Sequence, residues 1–331
     1  MGSRPRLTVA APRRPRIGVV LGAGGVLGAA WTAGALVTLQ QRLDRRIGDA
    51  DLVVGTSAGS VLATALRCGV DVDDIVEHQR GSAGVALTQL SELDRDSGGA
   101  LPPLPRLWIG SPQLLLNAAR SPLRAHPLVA ASALMPQGRA QHPSLARLVD
   151  GLLARGAGSW PPAETWIMTV DYGSGRRVAF GRSGAPEATM QDAVVASCSI
   201  PGWYEPKTIG DRRYVDGGVR SMASLDLLSR ADLDEVYVLA PMASYVADTP
   251  INPLACLERR IRRLITIGLT SEARKVRATG AEVTILTPGP EDLAAIGVNL
   301  MDPSRRQRVL ETSLRTAPGT LDAVEKRRHA A

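Results

Sequence analysis

Short apolar runs near the start of the chain are each followed by a glycine-rich turn and then by a longer segment with helical spacing. Residues 16–21 predict a buried strand that enters the turn at residues 22–28, and a helical pattern then continues to about Leu43. Residues 51–54 predict a second strand, and a helix follows from the next turn to about Arg67. Because strands that alternate with helices form parallel sheets, the pattern predicts an α/β fold with a mainly parallel central sheet sandwiched by helices.

The same patterns continue in the C-terminal half, where apolar runs predict strands at residues 164–170, 177–180, 213–215, 235–239 and 282–286. Helical spacing is found at residues 190–197 and 254–279. Residues 80–140 differ, since proline, glycine and serine recur between apolar clusters, and we expect short helices and loops there that cap the sheet. We therefore predict one domain over residues 16–320, preceded by a flexible basic arm at residues 1–15 and followed by a tail at residues 321–331.

Composition agrees with one large domain, because 331 residues are enough to bury a substantial core. Aromatic residues are only 3% of the chain, so alanine, valine, leucine and isoleucine must build that core. The three cysteines are far apart, which indicates neither a disulfide framework nor a zinc site and fits a reducing compartment. The chain has no apolar signal segment at its start and no run of about 18 apolar residues, so we expect a cytoplasmic protein whose membrane contact, if any, is peripheral.

The formal net charge of +7 favours anionic partners. No zinc-finger spacing, RNA-binding motif or basic-zipper heptad is present, so we do not expect a nucleic-acid partner. An anionic membrane is the remaining candidate, and the densest run of positive charge is formed by Arg259, Arg260, Arg262 and Arg263. The alternative is that these charges simply form solvated surfaces and tails.

The segment from Gly55 to Gly59 has the pattern G-x-S-x-G, placed between a predicted strand and a predicted helix. In such a turn the serine adopts strained backbone angles, and glycines on either side let the strand and helix approach closely. The turn exposes the Ser57 hydroxyl as a nucleophile and directs the Ala58 amide towards a developing oxyanion. The alternative is an ordinary strand-to-helix loop in which Thr56 or Ser57 caps the helix.

The glycine-rich turn from Gly22 to Gly28 also joins a strand to a helix, and several backbone amides can converge on an anion there. A dinucleotide fingerprint would need glycine at position 27, where Leu27 stands, and no lysine and serine or threonine follow as in a phosphate-binding loop. The turn therefore predicts an oxyanion-binding loop in which Gly24 and Gly25 donate, or else a glycine turn that serves tight packing.

Asp216, followed by Gly217 and Gly218, closes a predicted strand and is a candidate partner for Ser57, although such a residue is often only part of a turn. A Ser–Asp–His order would leave only His329, which lies at the C-terminal end, as the base. The remaining histidines lie in the middle of the chain, where surface or core roles are expected: His78, His126 and His142. A histidine-free Ser57–Asp216 dyad is the better mechanism.

These blocks, in this order, resemble the patatin-like phospholipase family. The turn at residues 22–28 resembles its oxyanion loop, Gly55–Gly59 its serine elbow, and residues 216–218 its D-G-G block, while residues 196–203 resemble the block that precedes it. The resemblance implies that Ser57 attacks an ester of a phospholipid or other acyl lipid, with Asp216 as base and without metal or cofactor. Two positions depart from the family pattern: Ala23 replaces a glycine, and Leu27 stands where members commonly carry arginine or lysine.

Two other functions remain open on the same residues. The first is an acyltransferase or a thioesterase that uses the same dyad. The second is a catalytically silent scaffold that binds a membrane or a partner protein, and the presence of both Ser57 and Asp216 argues against it.

Overall fold

The computed structural model describes residues 13–81, 103–122, 126–155, 158–246 and 252–329. Residues 1–12 of the predicted N-terminal arm and two stretches of the 80–140 segment lie outside these ranges. Within them, the central feature is an eight-stranded sheet with the order β10-β9-β1-β2-β5-β8-β7, in which β6 also pairs with β5. Its strands are β1 Ile17–Leu21, β2 Leu52–Thr56, β5 Thr165–Asp171, β6 Arg177–Phe180, β7 Lys207–Ile209, β8 Arg212–Asp216, β9 Glu235–Leu239 and β10 Glu282–Leu286.

The sheet is mixed but mostly parallel, which confirms the predicted fold class. Strands β10, β9, β1, β2 and β5 run parallel to one another. The antiparallel pairings are those of β6 and β8 with β5 and that of β7 with β8, all on the β5 side. The carboxyl ends of the parallel strands therefore lie along one edge of the sheet, the edge at which α/β proteins place their sites.

Helices cover both faces of the sheet because alternate strand residues are apolar on opposite sides. In β1, Ile17, Val19 and Leu21 pack into one apolar cluster, whereas Val20 packs into the other. One face is covered by most of the helices and the other mainly by α8. The helices are α1 Gly25–Leu43, α2 Ala58–Arg67, α3 Val72–Arg80, α4 Pro112–Arg120, α5 Pro127–Leu134, α6 Pro143–Leu153, α7 Met190–Ser197, α8 Pro253–Arg277, α9 Pro290–Ile296 and α10 Arg306–His329.

The pairing of β5 explains how distant parts of the chain meet. Residues 165–168 of β5 pair with β2 and residues 169–171 pair with β8, while β6 pairs with residues 167–170. Because a strand has only two edges, β2 and β8 must share the edge opposite β6, one after the other. As β2 is parallel and β8 antiparallel to β5, their carboxyl ends face each other, with Thr56 opposite Met168 and Asp216 opposite Thr169.

The described part of the 80–140 segment contains the short helices α4 and α5 and a two-stranded ribbon, β3 Arg106–Ile109 with β4 Pro136–Gln137. Leu114, Val129 and Ala133 from these helices pack against Val170 and Tyr172 at the carboxyl end of β5. The segment therefore lies at the same edge of the sheet as the ends of β2 and β8.

The C-terminal region differs from the prediction. Helix α10 continues without interruption across residue 320 to His329, and Leu321 is buried in the main apolar cluster, so no boundary separates a tail from the domain there. Helix α10 packs along α1, where the Ser313 hydroxyl donates a hydrogen bond of 2.7 Å to the carbonyl oxygen of Trp31.

The run of four arginines on α8 is not one exposed cationic cluster, as the sequence suggested. The Arg262 side chain is 1% exposed and donates to the carbonyl oxygen of Pro241 at 2.5 Å. Arg259 forms an ion pair with Glu258. Of the four, Arg260 and Arg263 are exposed, because the helix turns the other two towards the protein. In the described part of the chain, none of the helices combines the length and the apolar character that crossing a bilayer requires.

Candidate active site

Ser57 occupies a sharp turn between β2, which ends at Thr56, and α2, which begins at Ala58. Its backbone has φ of 53° and ψ of −125°, a conformation that residues other than glycine rarely adopt. Such strain is typical of nucleophile turns, in which it holds the hydroxyl above the end of the sheet. The side chain of Ser57 does not cap α2, so the helix-capping alternative for this residue is not what the structure has.

The glycines on either side of Ser57 are required by close packing of the turn. A Cβ atom at Gly55 would lie 2.5 Å from the Cα of Ser60, and one at Gly59 would overlap the backbone carbonyl of Leu21. No side chain fits at either position, which is the physical reason for the G-x-S-x-G spacing. The Gly59 contact also brings the serine turn against the end of β1, where the glycine-rich loop begins.

Asp216 lies beside Ser57 because the ends of β2 and β8 face each other along β5. The Ser57 hydroxyl lies near enough to the Asp216 carboxylate to lower the pKa of Asp216. The Gly218 amide donates a hydrogen bond of 2.7 Å to Oδ1 of Asp216. Burial raises the pKa of Asp216 from 3.8 to about 6, although the Ser57 hydroxyl and the Gly218 amide counteract part of that effect. The carboxylate is therefore both oriented towards Ser57 and more basic than an ordinary aspartate.

Ser197 holds the serine turn in place, a role that sequence reasoning did not assign. Its Oγ accepts a hydrogen bond of 2.8 Å from the Ser57 amide and donates one of 2.7 Å to the carbonyl oxygen of Met168. Met168 is the β5 residue opposite Thr56. The next residue but one, Ser199, accepts from the Asp216 amide at 3.0 Å through its carbonyl oxygen. The block at residues 196–203 thus connects the nucleophile and the aspartate to the same strand. The resemblance of this block to the family pattern was the sequence signal that could have indicated this role.

The glycine-rich loop adopts a conformation that leaves particular amides available. The amides of Gly22 and Ala23 donate to Leu239 and Met222, both at 2.9 Å, and the amide of Gly28 bonds the carbonyl of Gly24. Within the described ranges, the amides of Gly24, Gly25 and Ala58 have no acceptor. The structure thus brings the loop predicted to bind an oxyanion against the turn that carries Ser57.

Gly25 and Gly24 of the loop have little room for side chains. Gly25 has φ of +60°, and a Cβ there would lie 2.9 Å from Sδ of Met301. A Cβ at Gly24 would lie 2.7 Å from Cγ of Pro241. Both the backbone angle and the neighbouring atoms therefore explain why glycine occupies these positions.

A cavity of about 160 Å³ opens next to Ser57 between α1, α2, α3 and α6. Ser57, Ala58, Gly25 and Cys198 line it at the level of the sheet edge. Its walls are otherwise mainly apolar and include Val26, Ala29, Val61, Leu62, Ala65, Ile75, Leu145 and Leu152. An apolar cavity that begins at a nucleophile can hold the hydrocarbon part of a substrate while its carbonyl carbon stays at the serine.

Polar residues also line this cavity, and sequence reasoning did not foresee them. They are His78 and Gln79 from α3, His142 before α6, and Arg306 at the start of α10. His142 stacks on Tyr204 with ring centroids 3.7 Å apart, and its Nε2 lies 3.1 Å from the carbonyl oxygen of Cys198. These histidines are remote from Ser57 in sequence, and only the folding of α3 and α6 around the cavity brings them near it. The side chain of His329 lies outside the part of the chain that the structure describes.

Leu27, the residue that stands where a cation was expected, is fully buried in the apolar cluster beneath α1. Its amide donates to the carbonyl oxygen of Leu300 at 3.0 Å. The side chain therefore contributes to the core and not to the cavity. Arg306 is the cationic residue that lines the cavity among the residues described.

The chain is similar to known proteins in sequence and in structure. A family model described as patatin-like phospholipase matches residues 19–229. No curated protein sequence matches the chain. Among solved structures, VipD from Legionella pneumophila is 13% identical with a TM-score of 0.43, and the similarity covers 94% of this chain and 67% of VipD. The type III effector protein ExoU is 17% identical with a TM-score of 0.38, covering 95% of this chain and 54% of ExoU.

ExoU in complex with SpcU, from Pseudomonas aeruginosa, is also 17% identical, with a TM-score of 0.32 and coverage of 92% of this chain and 53% of that one. The chain thus spans about half the length of the ExoU chains that it matches. The region matched by the family model is more than half of the 331 residues and contains the glycine-rich loop, Ser57 and Asp216. The chain therefore belongs to the patatin-like phospholipase family, a family of lipid hydrolases.

Proposed function

We propose that this protein is a lipid acyl hydrolase of the phospholipase A or esterase type that cleaves an ester bond with a Ser57–Asp216 dyad. The observation that carries the proposal is that the strained turn of Ser57 and the buried Asp216 meet at adjacent residues of β5, where Ser57 lines an apolar cavity. A carboxylate whose pKa is about 6 is a stronger base than an ordinary aspartate and is still ionised near neutral pH. Serine is a weak nucleophile until such a base removes its proton.

The first half of the reaction forms an acyl-enzyme. Oγ of Ser57 attacks the carbonyl carbon of the ester while Asp216 accepts the hydroxyl proton. The negative charge that develops on the carbonyl oxygen is stabilised by the amides of Gly24, Gly25 and Ala58, whose hydrogen atoms are available to an acceptor. The tetrahedral intermediate then expels the alcohol, which takes the proton from Asp216.

The second half releases the fatty acid. A water molecule gives a proton to Asp216 and attacks the acyl carbon, and the new oxyanion is held by the same three amides. When the intermediate collapses, the bond to Ser57 Oγ breaks and the serine regains its proton from Asp216. The enzyme returns to its starting state, and one ester and one water become one alcohol and one fatty acid.

The histidines of the cavity do not take part in this scheme. His142 lies against Tyr204 and the carbonyl of Cys198, whereas the Ser57 hydroxyl interacts with the Asp216 carboxylate. Proton transfer between the nucleophile and this carboxylate leaves no step for an imidazole. The proposal is therefore a dyad and not a triad.

Release of fatty acid from phospholipid vesicles and from a soluble short-chain ester tests the proposal. We expect turnover by the wild type, loss of several orders of magnitude in Ser57→Ala, and a nearly equal loss in Asp216→Asn. The matched control is Ser60→Ala, since Ser60 lies in the same turn but donates its hydroxyl to the carbonyl of Ser57. A loss in His142→Ala as large as that in Asp216→Asn would replace the dyad by a triad, and transfer of the acyl group to an added alcohol in preference to water would indicate an acyltransferase.

A further inference from the structure

Helix α8 extends well beyond the sheet on which it packs. Its buried residues form one stripe that begins at Arg262 and continues through Thr266, Leu269, Ala273 and Val276. Arg262 is anchored to the carbonyl oxygen of Pro241, which follows the carboxyl end of β9. None of the helix residues 253–261 is buried. At 1.5 Å per residue, these nine residues extend the helix by about 13 Å before Arg262, and we call them the projecting part of α8.

The projecting part of α8 and the turn after it expose large apolar side chains. Successive members of this set are three or four positions apart, which places them along one side of the helix. Soluble proteins rarely leave such a continuous apolar surface uncovered unless it meets a membrane or another protein. The exposed fractions are 64% for Leu254, 56% for Leu257, 48% for Ile261 and 70% for Leu264.

Positive charge accompanies this apolar side. Arg260 and Arg263 are exposed and lie next to Ile261 and Leu264 in the sequence. The one acidic residue of the projecting part, Glu258, is engaged by Arg259 and Arg262. The surface offered to solvent is therefore apolar and cationic, the combination that binds at the surface of an anionic bilayer.

The projecting part of α8 ends at Arg262, which lies near the proposed catalytic loop. Pro241, which binds Arg262, also packs against Gly24 and Gly28 of the glycine-rich loop. At the same edge of the sheet, the described part of the 103–140 region exposes Trp108 by 67% and Leu134 by 65%. An interface bound by α8 would therefore lie at the edge of the sheet where Ser57 is found.

We propose that the side of α8 formed by Leu254, Leu257, Ile261 and Leu264, together with Arg260 and Arg263, docks the protein onto anionic lipid bilayers. The leucines and the isoleucine enter the boundary between head groups and acyl chains, and the two arginines bind lipid phosphates. This role rests on the proposed function insofar as it delivers lipid to Ser57, but the docking itself requires no turnover.

Sedimentation with vesicles tests the docking, using Ser57→Ala protein so that the lipid stays intact. Vesicles of phosphatidylcholine alone are compared with vesicles that also contain phosphatidylglycerol, at low and high salt. We expect Arg260→Gln with Arg263→Gln to lower the partition coefficient on anionic vesicles about 25-fold at low salt, at about fivefold for each arginine, and much less at high salt. Leu257→Ser with Leu264→Ser should lower it at least about tenfold at both salt concentrations.

The matched control is Arg274→Gln with Lys275→Gln, which removes the same charge from the opposite end of the same helix, where both residues are exposed. This variant should bind vesicles within about twofold of the parent, since charge far from the docking surface is screened. The proposal would be overturned if the arginine variant and the leucine variant bound vesicles as well as the control variant does. It would also be overturned if binding did not depend on anionic lipid. A third outcome would also overturn it: the parent protein does not bind vesicles but forms a dimer, and the Leu257→Ser and Leu264→Ser changes dissociate that dimer. In that case α8 would contact a second copy of the chain.

Turnover of a soluble short-chain ester separates this proposal from the proposed function. With Ser57 restored, the arginine and leucine variants should hydrolyse that ester as the wild type does and lose activity only on vesicles. Docking without any ester hydrolysis by the wild type would refute the proposed function and leave the docking surface in place. Hydrolysis of vesicle lipid that is unchanged in both variants would refute the docking.

Discussion

Replacement of Asp216 by asparagine should make the protein more stable while it abolishes activity. Burial raises the pKa of Asp216 from 3.8 to about 6, so the folded protein holds this proton more tightly than the unfolded chain does. Above about pH 6 the buried group is ionised, and folding then carries the cost of its desolvation. A difference of about two between the folded and unfolded pKa values corresponds to about 3 kcal/mol.

Asparagine has nearly the same shape as aspartate and is neutral at every pH. At pH 8 we therefore expect the free energy of unfolding of Asp216→Asn to exceed that of the wild type by up to about 3 kcal/mol. The gain should shrink as the pH falls through about 6 and disappear near the unfolded pKa of 3.8, where the wild-type carboxyl is neutral in both states. Urea denaturation followed by circular dichroism at pH 8 and pH 4 measures both values.

Asp171 provides a matched control with the opposite sign. Burial by itself would raise its pKa, but the amides of Gly173 and Ser174 and the side chain of Arg212 donate to it and lower its pKa below the ordinary value. Its ionised form stabilises the fold above the unfolded pKa, and that contribution is lost as the pH falls. Asp171→Asn should therefore destabilise the protein at pH 8. If Asp216→Asn lowers the free energy of unfolding at pH 8 by as much as Asp171→Asn does, burial of the ionised Asp216 does not destabilise the fold. That result would refute the reasoning.

Three further predictions follow from the same site. The value of kcat/KM should fall about tenfold per pH unit below about pH 6 and be level above it, because Asp216 must be ionised to accept the serine proton; a profile without this limb would contradict the dyad. Gly25→Val should lower kcat about 10²–10³-fold in steady-state assays, because φ of +60° and the nearby Sδ of Met301 force the amide to move; an effect on KM alone would assign Gly25 to substrate binding. Gly59→Ala should yield little soluble protein, because its Cβ would overlap the backbone carbonyl of Leu21; normal yield and circular dichroism would show that the turn can widen.

The sequence was sufficient to predict the elements that carry strong local signals. The strand and helix around Ser57 lie where the apolar pattern placed them, with β2 at Leu52–Thr56 and α2 at Ala58–Arg67. The helix predicted at residues 190–197 is α7, Met190–Ser197. These segments are predictable because their apolar spacing and their bounding turn residues indicate the same structure.

What could not be predicted depends on contacts between distant parts of the chain. The meeting of Ser57 with Asp216 requires β2 and β8 to share one edge of β5, which no local pattern encodes. Helix α10 contains Pro318 in its interior, where proline removes a backbone hydrogen bond and ordinarily ends a helix. The packing of α10 along α1, which no local pattern predicts, accompanies its continuation past this residue. Nor can a run of arginines show that Arg262 faces inward, since that depends on where α8 meets Pro241.

The central claim is that Ser57 is a nucleophile activated by Asp216, and a fluorophosphonate probe tests it most directly. Such a probe reacts only with activated serines, and mass spectrometry of the digested protein locates the adduct. We predict that the wild type carries one adduct on Ser57, that Ser57→Ala carries none, and that Asp216→Asn reacts at a small fraction of the wild-type rate. An unlabelled wild type, or an adduct on a different serine, would contradict the account.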